Sequence, residues 1–459
     1  MVAWAARILG RAFFRSVETV GALPGEGRVI IAASHLNGFV DPVLLVADLG
    51  VLPRFLAKAT LWKVVAARPF LALARIIPVQ RRVDSGDGTD NTSAFAAAVE
   101  ALRDRHILAV FPEGTTHDEA SIRPLRTGVA RIAIEAAAAG LDDVSIVPVG
   151  ITYADKVAVR GRALIEFGEP LPVAATPLVD GAPDPEEVRR LTDRLTVAIR
   201  ALTPDFDTTE DALGVTRAAE ISLQPAGSRI ADVPMSTVAG RARRLAGSPP
   251  AEVDALIDTT ARYEMIRGAL RLRDVDLVAD LRLRTLTRRV AWLAVLVVVL
   301  APFALAGLFT NLVPALIVLG VGLLPRAPVS KGTIRLLVAA VVFPVTWLAI
   351  AVWDVGLPWY ARATRELTLP LEPLLRAVFG TRSGWGPSLL VFVSIPILGA
   401  LALLFVDRFR GLVADAVAAR ALADRRGQVP EVLARRESVG RMVEELLDAG
   451  ARSGVDTPV

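Results

Sequence analysis

The chain has 459 residues, 53% hydrophobic and 22% charged, with no cysteine and three histidines. That length accommodates two or three folding units, and so apolar a balance excludes an ordinary cytosolic enzyme. The lack of cysteine excludes disulfides, thiolate-held metals and a catalytic thiol. The formal net charge is +4, carried mostly by arginine, with lysine only at Lys58, Lys63, Lys156 and Lys331. No basic tract is interleaved with aromatics, so nucleic acid is not an expected partner; the positive excess suits an anionic lipid surface.

In residues 1–21 a helix would place Trp4, Ile8, Leu9, Ala12 and Phe13 on one face and Arg7, Arg11 and Arg15 on another. A signal peptide and an amphipathic helix on the membrane surface are the two readings. Arginines break the apolar core and no small-residue cleavage site follows, so the surface helix is expected.

Residues 22–205 read as an α/β domain. Strand-like runs fall at Val29–Ala33, Arg54–Ala57, Ile76–Val79, Ile107–Phe111, Ser145–Ile151 and Ala163–Phe167, alternating with helical stretches such as Thr92–Arg105 and Gly128–Ala139. Strands alternating with helices predict a mostly parallel sheet flanked by helices. Residues 206–288 read as a helical cytosolic connector, and 407–459 as a cytosolic helical tail.

Between them, residues 289–406 read as an α-helical transmembrane region. Val290–Leu324 contains no charge; one straight helix of that length would rise about 52 Å against a hydrocarbon core of roughly 30 Å. Thr310, Asn311 and Pro314 interrupt the run, which predicts a hairpin and about four spans in all: 290–308, 311–324, 336–353 and 387–406. Buried helices of a soluble bundle are the alternative, and three charge-free runs of this length argue against it. Arg282, Arg284, Arg288 and Arg289 precede the first run, Arg326, Lys331 and Arg335 follow it, and Arg408 and Arg410 follow the last. Positive residues favour the cytoplasmic side, so both termini and the 325–335 loop are expected inside. Residues 354–386 would face outward, with Trp353, Trp359, Tyr360 and Trp385 as interface anchors, although that loop also carries Arg362, Arg365, Arg376 and Arg382. Spans without charge suit an anchor or scaffold better than a transporter.

The chemistry concentrates in the α/β domain. In Ser34-His35-Leu36-Asn37-Gly38-Phe39-Val40-Asp41-Pro42 a histidine leaves a strand and an aspartate opens a helix. Asp41 has two readings, an N-cap with proline at the first helical position, or a carboxylate that orients the His35 ring as a base. No G-x-S-x-G elbow accompanies them, so His35 would activate a substrate hydroxyl. Phe111-Pro112-Glu113-Gly114-Thr115 follows a strand directly; glycine admits a ligand to the backbone and Glu113 offers a partner for hydroxyls, though Pro and Gly also suit a plain turn. Arg126 precedes a helix that opens on glycine, a place suited to phosphate. Arg81 and Arg82 end another apolar strand, where a solvated charge pair is the plainer reading. No Walker or G-x-G-x-x-G loop supports nucleotide binding.

Together these residues resemble the PlsC-like glycerolipid acyltransferases. The ordered blocks of that family stand here as His35…Asp41, Ile77-Pro78-Val79-Gln80-Arg81, Phe111-Pro112-Glu113-Gly114-Thr115 and Val147-Pro148-Val149-Gly150. Five residues separate His35 from Asp41, where four is the commonest pattern; the longer form looks like the branch of fungal glycerol-3-phosphate/dihydroxyacetone-phosphate acyltransferases and related bacterial proteins. The resemblance implies transfer of an acyl group from acyl-CoA or acyl carrier protein to a hydroxyl of glycerol-3-phosphate or 1-acylglycerol-3-phosphate in phospholipid synthesis. It implies His35 as general base and Asp41 as its support. Arg81, Glu113, Gly114, Thr115 and Arg126 would hold the glycerol-phosphate, Pro148 would lie near the acyl chain, and His117 is a secondary candidate. No metal or bound cofactor is implied; membrane lipids are the surroundings, in a multi-pass protein of the bacterial inner membrane with its catalytic domain in the cytoplasm. A non-catalytic lipid-binding scaffold on this fold, and an enzyme for a different hydroxyl acceptor, are the competing readings.

Overall fold

The computed structural model describes residues 2–63, 68–80, 91–115, 119–155, 160–203, 206–224, 233–272, 274, 277, 283–324, 328–352, 386–424 and 426–452. The chain divides into two compact units, one of residues 1–220, 233–257 and 442–459, the other of residues 221–232 and 258–441.

Among the described residues, the first unit is built on an eight-stranded sheet: β1 (Phe14–Val20), β2 (Arg28–Ala33), β3 (Arg54–Lys58), β4 (Ile77–Val79), β5 (Leu108–Val110), β6 (Val144–Tyr153), β7 (Gly161–Phe167) and β8 (Leu171–Pro172). Its order is β1-β7-β6-β2-β5-β3-β4, with β8 beside β6. Strands β2 to β6 run parallel, and β7 and β8 pair antiparallel to β6. The reason is connection length: a short link returns the chain from β6 into β7, whereas parallel neighbours need a long crossover. Helices α1 (Val2–Phe13), α2 (Val40–Leu49), α3 (Arg68–Leu73), α4 (Thr92–Arg103), α5 (Gly128–Ala138) and α6 (Pro185–Leu202) intervene. Ile30, Ala32, Leu108 and Ile146 on the sheet pack with Ala98 and Leu102 of α4, Ile132 of α5 and Leu195 and Ile199 of α6. The period-two spacing of those sheet residues puts them on one face, where helices cover them.

The N-terminal helix is shorter than the 1–21 expected. It ends at Phe13, and Phe14–Val20 forms an edge strand parallel to β7. The segment holds Val17, Thr19 and Val20, branched residues that pack better on a pleated surface than in a helix. Trp4 and Ile8 are exposed as an amphipathic helix requires; Arg7 is exposed too, but its Nε donates to the Ala47 carbonyl near the end of α2.

Nor do residues after 205 form a separate connector throughout. Helices α7 (Thr209–Ser222) and α8 (Met235–Ala246) belong largely to the first unit. Arg243 of α8 forms a bidentate pair with Glu166 of β7 at 2.7 and 3.0 Å and also reaches the Leu202 carbonyl. The Glu18 side chain of β1 accepts from the Met235 and Ser236 N–H groups at the start of α8.

Most of α9 (Pro250–Ala269) and helices α10 (Leu283–Val321), α11 (Pro328–Val352), α12 (Gly386–Asp424) and most of α13 (Val429–Arg452) make up the second unit. Among the described residues, three stretches, Val290–Val321, Ile334–Ala351 and Phe392–Val417, are long and apolar enough to cross a membrane. The hairpin expected near Thr310–Pro314 is absent: α10 is one continuous helix that contains Pro302 and Pro314. Its polar residues are satisfied within helices instead of in a turn. Asn311 Nδ2 donates to the Gly307 carbonyl at 2.8 Å, Thr310 Oγ1 donates to the same carbonyl, and Trp347 Nε1 of α11 donates to Asn311 Oδ1 at 2.9 Å. Such internal bonding is how an apolar helix tolerates proline and asparagine. The last span likewise runs on past 406, because the charges Asp407, Arg408 and Arg410 do not break α12. The outward loop expected at 354–386 lies outside the described residues apart from Gly386, as do all four expected anchors, Trp353, Trp359, Tyr360 and Trp385.

Candidate active site

The carboxyl ends of the parallel strands gather the functional residues at one edge of the sheet, the usual place for a site in an open α/β fold. Beyond the end of β2, Ser34 continues the pairing with β6: its N–H donates to the Val149 carbonyl at 3.0 Å and its Oγ accepts from the Ile151 N–H at 2.9 Å. His35 is thereby delivered from a fixed backbone. Its own N–H donates to Glu113 Oε1 at 2.8 Å, and its ring stacks on Phe111 with centroids 4.1 Å apart.

The turn after His35 brings the aspartate back to the ring. Gly38 takes the left-handed conformation at φ 53°, the Val40 N–H donates to the Asn37 carbonyl, and α2 begins. Asp41 Oδ2 then lies 2.9 Å from His35 Nδ1 and also accepts from the Asn37 N–H at 2.8 Å. Tyr153, the last residue of β6, donates its hydroxyl to Asp41 Oδ1. The Asp41 side chain is fully buried while the His35 side chain remains 17% exposed. A carboxylate only accepts, so it assigns the proton to Nδ1 and leaves Nε2 as the ring's basic nitrogen.

The N-cap reading of Asp41 is therefore corrected. The cap position is Phe39, which makes no side-chain cap bond, and Asp41 stands inside the first turn. Its oxygens reach backwards to the turn and the ring instead of forward to the helix N–H groups. The negative charge still favours that helix end.

Phe111–Gly114 forms a tight turn closed by the Gly114 N–H on the Phe111 carbonyl, with Gly114 at φ 70°. Glu113 is buried, and besides the His35 N–H it accepts from the Arg123 N–H at 3.1 Å. Its carboxylate thus braces two loops, a use the strand-end reading did not foresee. Arg126 is joined to the same turn through its N–H on the Pro112 carbonyl at 2.7 Å, and its side chain is exposed beside Gly114, just before α5. Thr115 follows the turn and is half-buried.

His35, Asp41, Glu113, Gly114 and Thr115 are accordingly brought together, with Arg126 at their margin. Pro148 is not brought to the pair. It is buried in β6 opposite Ala32, three residues before His35 and so about 10 Å back along the sheet. Arg81, Arg82 and His117 lie outside the described residues. Sequence reading missed Tyr153 and Lys58; Lys58 closes β3 at this same edge. Their only local signal is position, since each is a polar residue ending an apolar strand.

The mostly parallel sheet thus carries a histidine–aspartate pair at its carboxyl edge, backed by a Phe-Pro-Glu-Gly turn. Residues 15–152 match the acyltransferase family model. The chain is 34% identical over 167 residues to glycerol-3-phosphate O-acyltransferase 2 of Saccharomyces cerevisiae, covering 34% of this chain and 21% of that protein. It is 31% identical over 127 residues to glycerol-3-phosphate O-acyltransferase 1 of the same yeast, covering 26% and 17%. The chain thus spans about a fifth of the length of these curated relatives. A solved structure, the 1-acyl-sn-glycerophosphate acyltransferase PlsC from Thermotoga maritima, aligns with 44% of this chain and 76% of its own at 19% identity and a TM-score of 0.32.

Proposed function

We propose that the protein is a membrane-bound O-acyltransferase that moves a fatty acyl group from an acyl thioester to a hydroxyl of glycerol-3-phosphate or 1-acylglycerol-3-phosphate. The observation that carries the reading is the 2.9 Å contact from His35 Nδ1 to the buried Asp41 carboxylate, which leaves Nε2 to take a proton. In this mechanism His35 Nε2 removes the acceptor's hydroxyl proton as the oxygen attacks the thioester carbonyl. Asp41 balances the imidazolium that forms. Collapse of the tetrahedral adduct breaks the C–S bond, and the imidazolium returns its proton to the leaving thiolate.

Glycerol-3-phosphate is the favoured acceptor, because both yeast relatives are named for it and the His35–Asp41 spacing is the longer one. Arg126, standing before the α5 N-terminus, is a natural partner for the acceptor phosphate, and Arg81 is proposed beside it. Glu113 serves the acceptor chiefly by bracing the loop that carries His35. The reading requires no metal or bound cofactor; acyl-CoA or acyl carrier protein is the co-substrate. The chain is proposed as a multi-pass protein of the bacterial inner membrane with this domain in the cytoplasm; the three apolar helices support the membrane part of that reading, whereas with α10 a single helix the positive residues at both of its ends no longer assign a side.

The test uses purified full-length protein in liposomes with palmitoyl-CoA, measuring thiol release with each acceptor in turn for wild type, His35→Ala and Arg126→Ala. Release with glycerol-3-phosphate, abolished in His35→Ala and requiring about tenfold more acceptor in Arg126→Ala, is expected. Release that survives His35→Ala refutes the mechanism, and silence of the wild type with both acceptors and both thioester classes refutes the activity.

A further inference from the structure

We propose that Tyr153 is a positioning residue of this site, whose hydroxyl holds the Asp41 carboxylate in place against the His35 ring. The inference rests on the acyl-transfer reading for its kinetic part only.

Three donors meet the buried Asp41 carboxylate. His35 Nδ1 and the Asn37 N–H share Oδ2, and the Tyr153 hydroxyl takes Oδ1. Asn37 fixes the carboxylate through the backbone of its own loop, whereas Tyr153 arrives from a neighbouring strand. In the sheet register Val149 of β6 stands opposite Ala33 of β2, so the last residue of β6 emerges beside the loop that carries His35. The phenol ring is held by Phe14, the first residue of β1, stacked at 5.8 Å and 28°. Burial, and then the Asp41 charge and hydrogen bond, hold the Tyr153 hydroxyl well above its ordinary range. It therefore keeps its proton at neutral pH and acts only as a donor to the carboxylate. A phenol placed merely for packing could bond any carbonyl; this one ends on the oxygen opposite the one that grips His35.

Among the described residues, the charged groups bonded to His35 are Asp41 from α2, on its ring, and Glu113 from the turn after β5, on its N–H; Lys58 ends β3 at the same edge, and β1 contributes the uncharged Phe14 ring. Withdrawing the phenol proton from Oδ1 concentrates negative charge on the carboxylate. That strengthens its hold on the protonated imidazole, so His35 then gains its proton at higher pH. The freed carboxylate also loses one of its two anchors outside the ring.

Tyr153→Phe removes the hydroxyl and keeps the ring and its stack. With full-length protein in detergent and ring-13C histidine, the pH midpoint of the His35 signal, identified by its loss in His35→Ala, is compared between wild type and variant. The expected result is a midpoint higher by about half a pH unit, with kcat lowered about tenfold and KM for donor and acceptor unchanged. A midpoint that stays or falls, an unchanged kcat, or a loss carried in KM overturns the proposal. If the wild type transfers no acyl group at all, the acyl-transfer reading fails by itself, and the titration still decides the role of Tyr153.

Discussion

Replacing Asp41 by asparagine isolates the charge of the candidate dyad from its shape. The amide can keep its oxygen where Oδ2 stands, accepting from His35 Nδ1 and the Asn37 N–H as the carboxylate does. Its NH2 group then meets the Tyr153 hydroxyl, which can rotate to accept. The fold is expected to survive, with melting lowered by no more than a few degrees. The transition state, however, creates an imidazolium next to a neutral group. Charge centres about 4 Å apart interact by about 4 kcal/mol at an effective dielectric of about 20, equivalent to a loss of about a thousandfold in kcat. The His35–Asp41 separation of 2.9 Å between heavy atoms places the pair in that regime. The assay is steady-state thiol release over a range of both substrates, together with thermal unfolding of the same preparation. Loss in kcat with nearly unchanged KM and melting is expected. Retention of more than about a tenth of wild-type kcat would refute the reasoning that the Asp41 charge supports His35.

Glu113→Gln places an NH2 group against one of two backbone donors, the N–H of His35 or of Arg123. Leaving a buried donor unmatched costs about 1–3 kcal/mol, so melting should fall by several degrees and kcat should drop with it; unchanged melting would contradict the bracing role. Gly307→Leu concerns the apolar helices. A Cβ at Gly307 would run into the Leu398 backbone carbonyl, so α10 and α12 cannot keep their approach. Loss of the folded membrane-extracted protein is expected, scored by gel filtration in detergent; normal folding would argue against this helix contact.

Several strands could be read locally because each is a short apolar run bounded by turn residues or charges. β2, β3, β5 and β7 fall within a residue or two of the segments read. β1 was not legible, since Phe14–Val20 carries Arg15 and Glu18 and continues a helix without a break. The parting of Val290–Leu324 into two spans failed for a related reason. Thr310, Asn311 and Pro314 signal a turn in water, but in α10 the Gly307 carbonyl and Trp347 satisfy the polar groups.

His35 and Asp41 were legible as a pair because a six-residue separation with a glycine in the turn can close locally. The role of Glu113 was not, because its partner His35 lies 78 residues away, and Tyr153 meets Asp41 across 112 residues. The sequence by itself determined the residue types, their order along the chain, the alternation of strands and helices, and the long apolar helices, all of which follow from short-range periodicity. Tertiary structure alone decided that Asp41 turns away from capping, that Glu113 braces the His35 backbone and that Tyr153 completes the carboxylate's partners. The physical reason is strand order: placing β6 and β5 on either side of β2 brings their ends to His35, and hydrogen bonds between such distant segments leave no periodic trace in the chain.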